Sequence, residues 1–132
     1  MFEWTKDHAI GLPQVDAQHQ AIFRMARELY DEMSTGGGSD AAKRILQRVV
    51  QYTEHHFAAE ERLMRQYHYP ELDAHLQQHQ EFARRVLEFQ ADFQAGRTML
   101  TVEMFRLLRD WLEVHIKESD RGYAEFIRAK AA

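Results

Sequence analysis

Apolar residues recur in alternating steps of three and four along four long segments of this chain, which is the spacing of one face of an α-helix. The helix-breaking residues are few and lie mostly between these segments: Gly11, Pro13, Gly36, Gly37, Gly38, Pro70, Gly96 and Gly122. The pattern predicts four amphipathic helices, over residues 13–34, 40–66, 71–95 and 101–118. Because short connections favour nearly antiparallel packing, the expected fold is all-α, an up-down-up-down four-helix bundle.

The ends of these helices carry recognisable signals. Ser39 is the predicted N-cap of the second helix, and Gly96 suits the C-terminal cap of the third. Gly122 and the apolar residues after it predict a short C-terminal helix that covers one end of the bundle. No composition shift or linker divides the chain, so residues 1–132 are expected to form a single domain.

Composition excludes several classes of function. The chain has 17 Lys and Arg against 21 Asp and Glu, a formal charge of −4, which argues against nucleic-acid binding. The chain contains no Cys, so any metal site must be built from His and carboxylates. There is no basic, apolar leader and no apolar run near ~18 residues, so we expect a cytoplasmic protein without membrane insertion. The polar outward faces of the helices favour a monomer.

Five of the eight histidines occupy inward positions of the helical stripes: His19, His56, His75, His79 and His115. The second stripe, for example, is predicted as Ala42, Ile45, Val49, Tyr52, His56, Ala59 and Leu63. A buried imidazole without a partner costs roughly 1–3 kcal/mol, so five of them require a common explanation. At 1.5 Å rise per residue, all five fall at the same end of the bundle, in a layer about 10 Å thick. This arrangement predicts a dinuclear metal site.

Carboxylates join the same layer. Glu60 follows His56 by four residues, and His79 follows His75 by four, so each pair lies on one helix face. Asp120 follows His115 by five residues, or about 140° around a straight helix. Both can then bind one site only if the helix ends or unwinds near Ser119, and Gly122 favours such an ending.

The other three histidines serve as a comparison. His8 precedes the first helix, His68 lies in the loop before Pro70, and His55 is one position off the second stripe. All three are predicted to face solvent. A register error of one residue would exchange His55 with His56, and the spacing to Glu60 favours His56.

The sequence resembles the hemerythrin family, specifically its single-domain bacterial members. The resemblance rests on four motifs: Asp16-Ala17-Gln18-His19, His56-Phe57-Ala58-Ala59-Glu60-Glu61, His75 with His79, and Trp111-Leu112-Glu113-Val114-His115-Ile116 followed by Asp120. Phe2-Glu3-Trp4 is also similar to the N-terminal arm of that family. The motifs occur in family order over nearly the whole chain.

The resemblance implies reversible dioxygen binding at two irons joined by a bridging oxo or hydroxo group, for storage, delivery or sensing. The implied iron ligands are His19, His56, Glu60, His75, His79, His115 and Asp120, with Glu60 and Asp120 as bridges. On two octahedral irons this set and the bridging oxygen leave one position open. The implied apolar lining of that position is Ile22, Phe57, Trp111, Leu112 and Ile116. Asp16 is expected either to accept a hydrogen bond from a ligand histidine or to favour the helix N-terminus electrostatically.

Two other functions stay open at this point. The same centre could act as an enzyme on peroxide or nitric oxide, or the protein could handle iron without gas chemistry. The chain contains no Glu-x-x-His pair of the kind used by ferritin-like di-iron bundles. Five neutral imidazoles with only two carboxylates give weaker support to high-valent iron, which favours a binding protein over an enzyme. Delivery would require an oxygen-consuming protein partner, and the lack of an output domain makes sensing less favoured than storage or delivery.

Overall fold

The computed structural model describes residues 4–33, 40–96 and 102–131. Four helices form the bundle: α1 (Pro13–Met33), α2 (Asp40–Gln66), α3 (Leu72–Gln94) and α4 (Val102–Val114). A 3₁₀ turn over Lys6–His8 precedes them, and α5 (Arg121–Ala131) follows. The all-α, up-down-up-down bundle with a short C-terminal helix is therefore confirmed. The predicted cap Ser39, the glycines 36–38 and the first two residues of the predicted arm lie outside the described residues.

The end of α4 agrees with one of the two predicted alternatives, an end or an unwinding near Ser119. The helix does not end there; a more loosely wound π-helical segment, His115–Asp120, leads directly into α5. A π-helix makes i→i+5 hydrogen bonds, so each hydrogen-bonded turn contains one more residue than that of an α-helix. Gly122 lies inside α5 rather than at a helix end. A Cβ atom at this position would lie 3.3 Å from the Tyr69 hydroxyl oxygen.

The buried face of α2 is displaced from the predicted stripe. Most of its buried residues lie one position further along the chain: Leu46, Val50, Thr53, Phe57, Glu60 and Met64. Ala42 and His56 are buried as predicted, whereas Ile45, Val49 and Tyr52 are only half-buried. Apolar residues occupy both alternatives at 45/46, 49/50 and 63/64, so periodicity alone could not choose between the two registers.

The N-terminal arm packs on the bundle and buries His8, contrary to the prediction that this residue faces solvent. His8 Nδ1 contacts the backbone N–H and the hydroxyl of Thr5. The imidazole also packs against Trp4 and Phe23, at centroid distances of 5.4 and 4.9 Å. Its Nε2 lies 3.5 Å from Glu113 Oε1. The pattern within the helices contains no information about such an arm.

Asp16 and two arginines attach this arm to the bundle. The Asp16 carboxylate accepts the backbone N–H groups of Ile10, at 2.9 Å, and Gly11, at 3.2 Å. Asp16 therefore holds the arm instead of bonding to a histidine of the cluster. Arg121 donates to the carbonyl of Asp7, and Arg128 donates to the carbonyl of Ile10. In the described ranges, no helix is long and apolar enough to cross a membrane.

Candidate metal centre

All seven predicted ligands come together at one end of the bundle, and each is at most 3% exposed. Their donor atoms form two groups in which the atoms lie within 4.8 Å of one another. The first group contains Glu60, His75, His79, His115 and Asp120. The second contains His19, His56, Glu60 and Asp120. The two carboxylates therefore belong to both groups, and the imidazoles divide three to two.

The contacts of Asp120 show how one carboxylate faces both groups. Its Oδ1 lies 3.0 Å from His75 Nε2 and 3.1 Å from His115 Nε2. Its Oδ2 lies 3.1 Å from His19 Nε2, in the other group. The π-helical segment makes this possible, because residues five apart in a π-helix lie on nearly the same face.

Glu60 lies between the groups through a single oxygen. Its Oε1 is 2.9 Å from His56 Nε2 and 3.6 Å from His79 Nε2. The position of His56 follows from the i, i+4 spacing on α2, which aligns the two side chains along one face. Its neighbour His55 is exposed, as is His68, and both agree with the prediction.

The cluster contains buried polar atoms without hydrogen-bond partners, and these atoms are suited to bind metal ions. Among the described residues, several buried atoms have no hydrogen-bond partner: Nε2 of His19, His56 and His75, Oε1 of Glu60, and both carboxylate oxygens of Asp120. In addition, Nε2 of His79 and Nε2 of His115 lie 3.0 Å apart. Such atoms are costly to bury alone, and metal ions between them would satisfy all of them. Imidazole with carboxylate is a donor set suited to iron and other first-row metals.

The pKa shifts show which proton states the cluster favours. Burial and the neighbouring imidazoles of His115 and His75 lower the pKa of His79 to about 2. Burial also lowers the pKa of His115, but the adjacent Asp120 outweighs it, so this pKa is raised overall. Burial raises the pKa of Asp120, but the surrounding imidazoles, His115 foremost, hold it well below its usual range. Asp120 is therefore ionised and His79 neutral, as metal ligation requires.

Three polar contacts to the cluster were not predicted from the sequence. His56 Nδ1 lies 2.6 Å from Gln18 Oε1, and His115 Nδ1 lies 2.8 Å from Gln78 Oε1. The Tyr123 hydroxyl donates to Glu60 Oε2 at 2.5 Å. The positions carried a signal: each glutamine directly precedes a predicted ligand histidine, and Tyr123 follows Asp120 by three residues, about one helical turn.

The predicted lining residues surround the cluster in two ways. Phe57 stacks on His79 with ring centroids 3.7 Å apart, and Trp111 stacks on His115 at 4.5 Å. Ile22, Phe57 and Leu112 line an apolar cavity of about 60 Å³ that continues along the bundle away from the cluster. Ile116 is fully buried. Apolar and aromatic groups thus shield the imidazoles from water.

A helical bundle that buries five imidazoles and two carboxylates in one cluster defines the class of metal-binding four-helix proteins. Residues 11–127 match the family model of the hemerythrin HHE cation binding domain. The chain therefore belongs to the hemerythrin family.

Named relatives agree with this assignment. A bacteriohemerythrin of Stenotrophomonas maltophilia is 36% identical over 96% of this chain and 81% of its own length. A bacteriohemerythrin of Methylococcus capsulatus is 32% identical over 98% of each chain. A crystal structure of wild-type hemerythrin superposes with a TM-score of 0.88 at 29% identity, covering 93% of this chain and 95% of the other. The family model describes a binding domain, in agreement with the prediction that the chain is not an enzyme.

Proposed function

We propose that this protein binds dioxygen reversibly at a non-haem di-iron centre with a bridging oxo or hydroxo group. The observation that carries the proposal is the pair of donor groups that share Glu60 and Asp120. His75, His79 and His115 would hold one iron, His19 and His56 would hold the other, and the two carboxylates would bridge them. The group with two imidazoles offers fewer protein donors, so an iron held there would be the one with room for dioxygen.

The proposed di-iron group and the residues around it would make different contributions to dioxygen binding. Two ferrous ions, when bound, would supply the two electrons for reversible dioxygen binding. The protein would supply five imidazoles, two carboxylates, of which that of Asp120 is held ionised, and an apolar surround. Phe57 and Trp111 cover imidazole faces of the cluster, which restricts the approach of water and protons. The Tyr123 hydroxyl donates a hydrogen bond to Oε2 of Glu60, and the other oxygen, Oε1, faces the imidazoles.

Storage and delivery are the roles we favour, with sensing as a third, and delivery would involve an oxygen-consuming protein. We further propose a single domain over residues 1–132 and a cytoplasmic location, since a ferrous centre needs a reducing compartment. We propose a monomer because exposed faces such as that of α3 carry i, i+4 ion pairs, for example Arg84 with Glu88.

An iron count combined with an absorption spectrum tests the proposal. We expect two irons per chain, oxo-bridged ferric absorption in air, and a stable oxygenated spectrum when the ferrous protein meets dioxygen. One metal per chain, or tight zinc with no iron, would contradict the centre itself. Two irons without a stable oxygenated spectrum would favour the enzyme or iron-handling alternatives.

Adjacent histidines on α2 provide a matched pair of variants. His56→Ala should lower the iron content, because His56 belongs to the buried cluster. His55→Ala should leave it unchanged, because His55 is exposed. Equal iron loss in the two variants would contradict the assignment of His56 as a ligand.

A further inference from the structure

The dipeptide Gln-His occurs at two corresponding places in the bundle, Gln18-His19 on α1 and Gln78-His79 on α3. In both, the histidine enters the buried cluster, while the glutamine reaches a histidine of the next helix along the chain. Gln18 contacts Nδ1 of His56 on α2, and Gln78 contacts Nδ1 of His115 in the π-helical segment. The same device therefore occurs once in each donor group.

We propose that Gln18 and Gln78 are positioning residues that set the tautomer and ring orientation of His56 and His115. Both histidines direct Nε2 at the cluster, where Nε2 lies 2.9 Å from Glu60 for His56 and 3.1 Å from Asp120 for His115. A metal needs the Nε2 lone pair, so the proton of the neutral ring must be on Nδ1. That N–H then donates to the amide oxygen of the glutamine, which also fixes the ring about its bond to Cβ.

The contrast with two other rings of the cluster, those of His19 and His79, supports a specific role. In the part of the chain that the structure describes, Nδ1 of His19 and Nδ1 of His79 have no hydrogen-bond partner. Each glutamine therefore orients a histidine on a neighbouring helix and not the one beside it in sequence. Gln78 is fixed in turn, because the Ser119 hydroxyl donates to the same amide oxygen at 2.8 Å.

The choice of an amide rather than a carboxylate has a chemical consequence. A carboxylate acceptor would increase the basicity of the ligand ring and add negative charge near a site that already contains Glu60 and Asp120. An amide oxygen orients the ring and adds no charge. Glutamine at both places thus limits the electron donation to the metals, which suits a centre that binds dioxygen without activating it. This point rests on the function proposed above.

Zinc-loaded protein provides the test, because its diamagnetic centre permits NMR of the imidazole nitrogens. Gln78→Ala removes the acceptor, Gln78→Glu restores an acceptor with charge, and Gln80→Ala is the control at an exposed position on the same helix. For Gln78→Ala we expect about 10–100-fold weaker zinc binding and faster solvent exchange of the His115 Nδ1–H. For Gln78→Glu we expect binding within a few-fold of the parent and a protected Nδ1–H.

A second readout uses the iron-loaded protein. Gln78→Glu should lower the reduction potential relative to the parent, because the ligand ring becomes a stronger donor, whereas Gln80→Ala should not. Gln18→Ala and Gln18→Glu should reproduce both patterns at His56. Melting curves of the metal-free variants verify the fold, and if the alanine variants are unfolded, the glutamate variants still decide the question.

The outcomes separate this inference from the function on which it rests. If the parent protein binds fewer than two metals, the ligand assignment is wrong. The positioning role is overturned if the parent binds two metals and the Gln78→Ala and Gln80→Ala variants have the same zinc affinity and the same exchange rate of the His115 Nδ1–H. An unchanged potential in Gln78→Glu would overturn the electronic part.

Discussion

The hydroxyl of Tyr123 donates a 2.5 Å hydrogen bond to Oε2 of Glu60, and both side chains are fully buried. Tyr123 lies on α5 and Glu60 on α2, so the contact joins the C-terminal helix to the cluster. Burial, followed by the negative charges of Glu60 and Asp120, raises the pKa of Tyr123 far above that of a free phenol. Tyr123 therefore remains a donor throughout the pH range in which the protein is folded.

Removal of this donor should destabilise the metal-free protein. We expect Tyr123→Phe to lower the free energy of unfolding by ~1–3 kcal/mol, since the buried Glu60 Oε2 loses its hydrogen-bond donor. Urea unfolding at pH 7 measures the change. Tyr67→Phe, at a half-buried tyrosine just after α2, serves as the control and should stay within ~0.5 kcal/mol of the parent. Equal losses in the two variants would count against a role for the hydrogen bond.

Metal affinity should rise with pH around neutrality. Burial lowers the pKa of His56, but the adjacent Glu60 outweighs it and raises the pKa above 6.5, and Asp120 has the same effect on His115. In metal-free protein these rings therefore keep their protons to higher pH than a free imidazole does, and a metal must displace those protons. Zinc titrations at pH 6, 7 and 8 should show tighter binding at each step, by roughly tenfold per unit for each proton released.

Calorimetry in buffers of different ionisation enthalpy provides the second measurement for this pH effect. At pH 7 the protein should release protons when zinc binds. Above the raised pKa values of His56 and His115, the release should diminish and the affinity should level off. A zinc affinity independent of pH between 6 and 8 would show that both rings are already neutral.

Substitution of the fully buried Ile116 can distinguish a role in packing from a role in keeping water away from the centre. Ile116→Ala should cost ~2–5 kcal/mol of stability, because truncation of a buried side chain leaves a cavity. The seven ligand residues are unchanged, so two irons should still bind. Added space should admit water, and the oxygenated protein should then decay faster than the parent. Absorbance after ferrous protein is mixed with aerated buffer, with iron measured on the same sample, tests this expectation.

Val114 provides the control for that experiment, since it lies two residues earlier and is 56% exposed. Val114→Ala should leave both the stability and the decay rate near those of the parent. If Ile116→Ala decays at the parent rate with full iron occupancy, Ile116 contributes packing only.

Two glycines with positive φ, Gly11 and Gly96, allow the cost of backbone strain to be separated from the cost of steric overlap. Gly11 has a φ of 83° and Gly96 a φ of 74°. A Cβ on Gly96 would meet no atom of the described residues within 4 Å, whereas a Cβ on Gly11 would overlap the Arg128 guanidinium. Gly96→Ala should therefore cost only the backbone strain, ~1–2 kcal/mol. Gly11→Ala should cost more, as measured by thermal unfolding.

The steric part of the Gly11 effect can be isolated. Arg128→Ala removes the group that a new Cβ would meet, so Gly11→Ala should be less harmful in that background than in the parent. Additive effects of the two substitutions would show that the overlap is relieved by movement of the arginine.

The helices could be predicted because their boundaries depend on local signals. The predicted limits of the first three helices agree with the structure to within one residue, and Gly96 follows α3 with the expected positive φ. The association of the seven side chains was also predictable, since the rise per residue fixes their height in an antiparallel bundle. Their roles as ligands remain a proposal.

Other features depend on contacts that a single helix pattern does not contain. His8 is buried because its ring contacts Trp4 of the arm itself, Phe23 of α1 and Glu113 of α4, which come from three separate parts of the chain. Gln18 and Gln78 bond across helices, so their places beside ligand histidines mark the positions, but no spacing within one helix reveals their partners. The displaced face of α2 reflects a choice between two equally apolar registers, which is decided by the neighbouring helices.

The π-helical segment decides which face of α5 meets the cluster. Its turn contains one residue more than that of an α-helix, so Asp120, five residues after His115, faces the cluster as a residue four positions later would in an α-helix. Deletion of Lys117 would therefore leave an uninterrupted α-helix in which the two side chains stay on one face. Insertion of a residue after Lys117 would instead turn every later residue by about 100° relative to α4. Asp120 and Tyr123 would then lose their places together, and with them one of the two shared carboxylates, while circular dichroism would still record a helical protein.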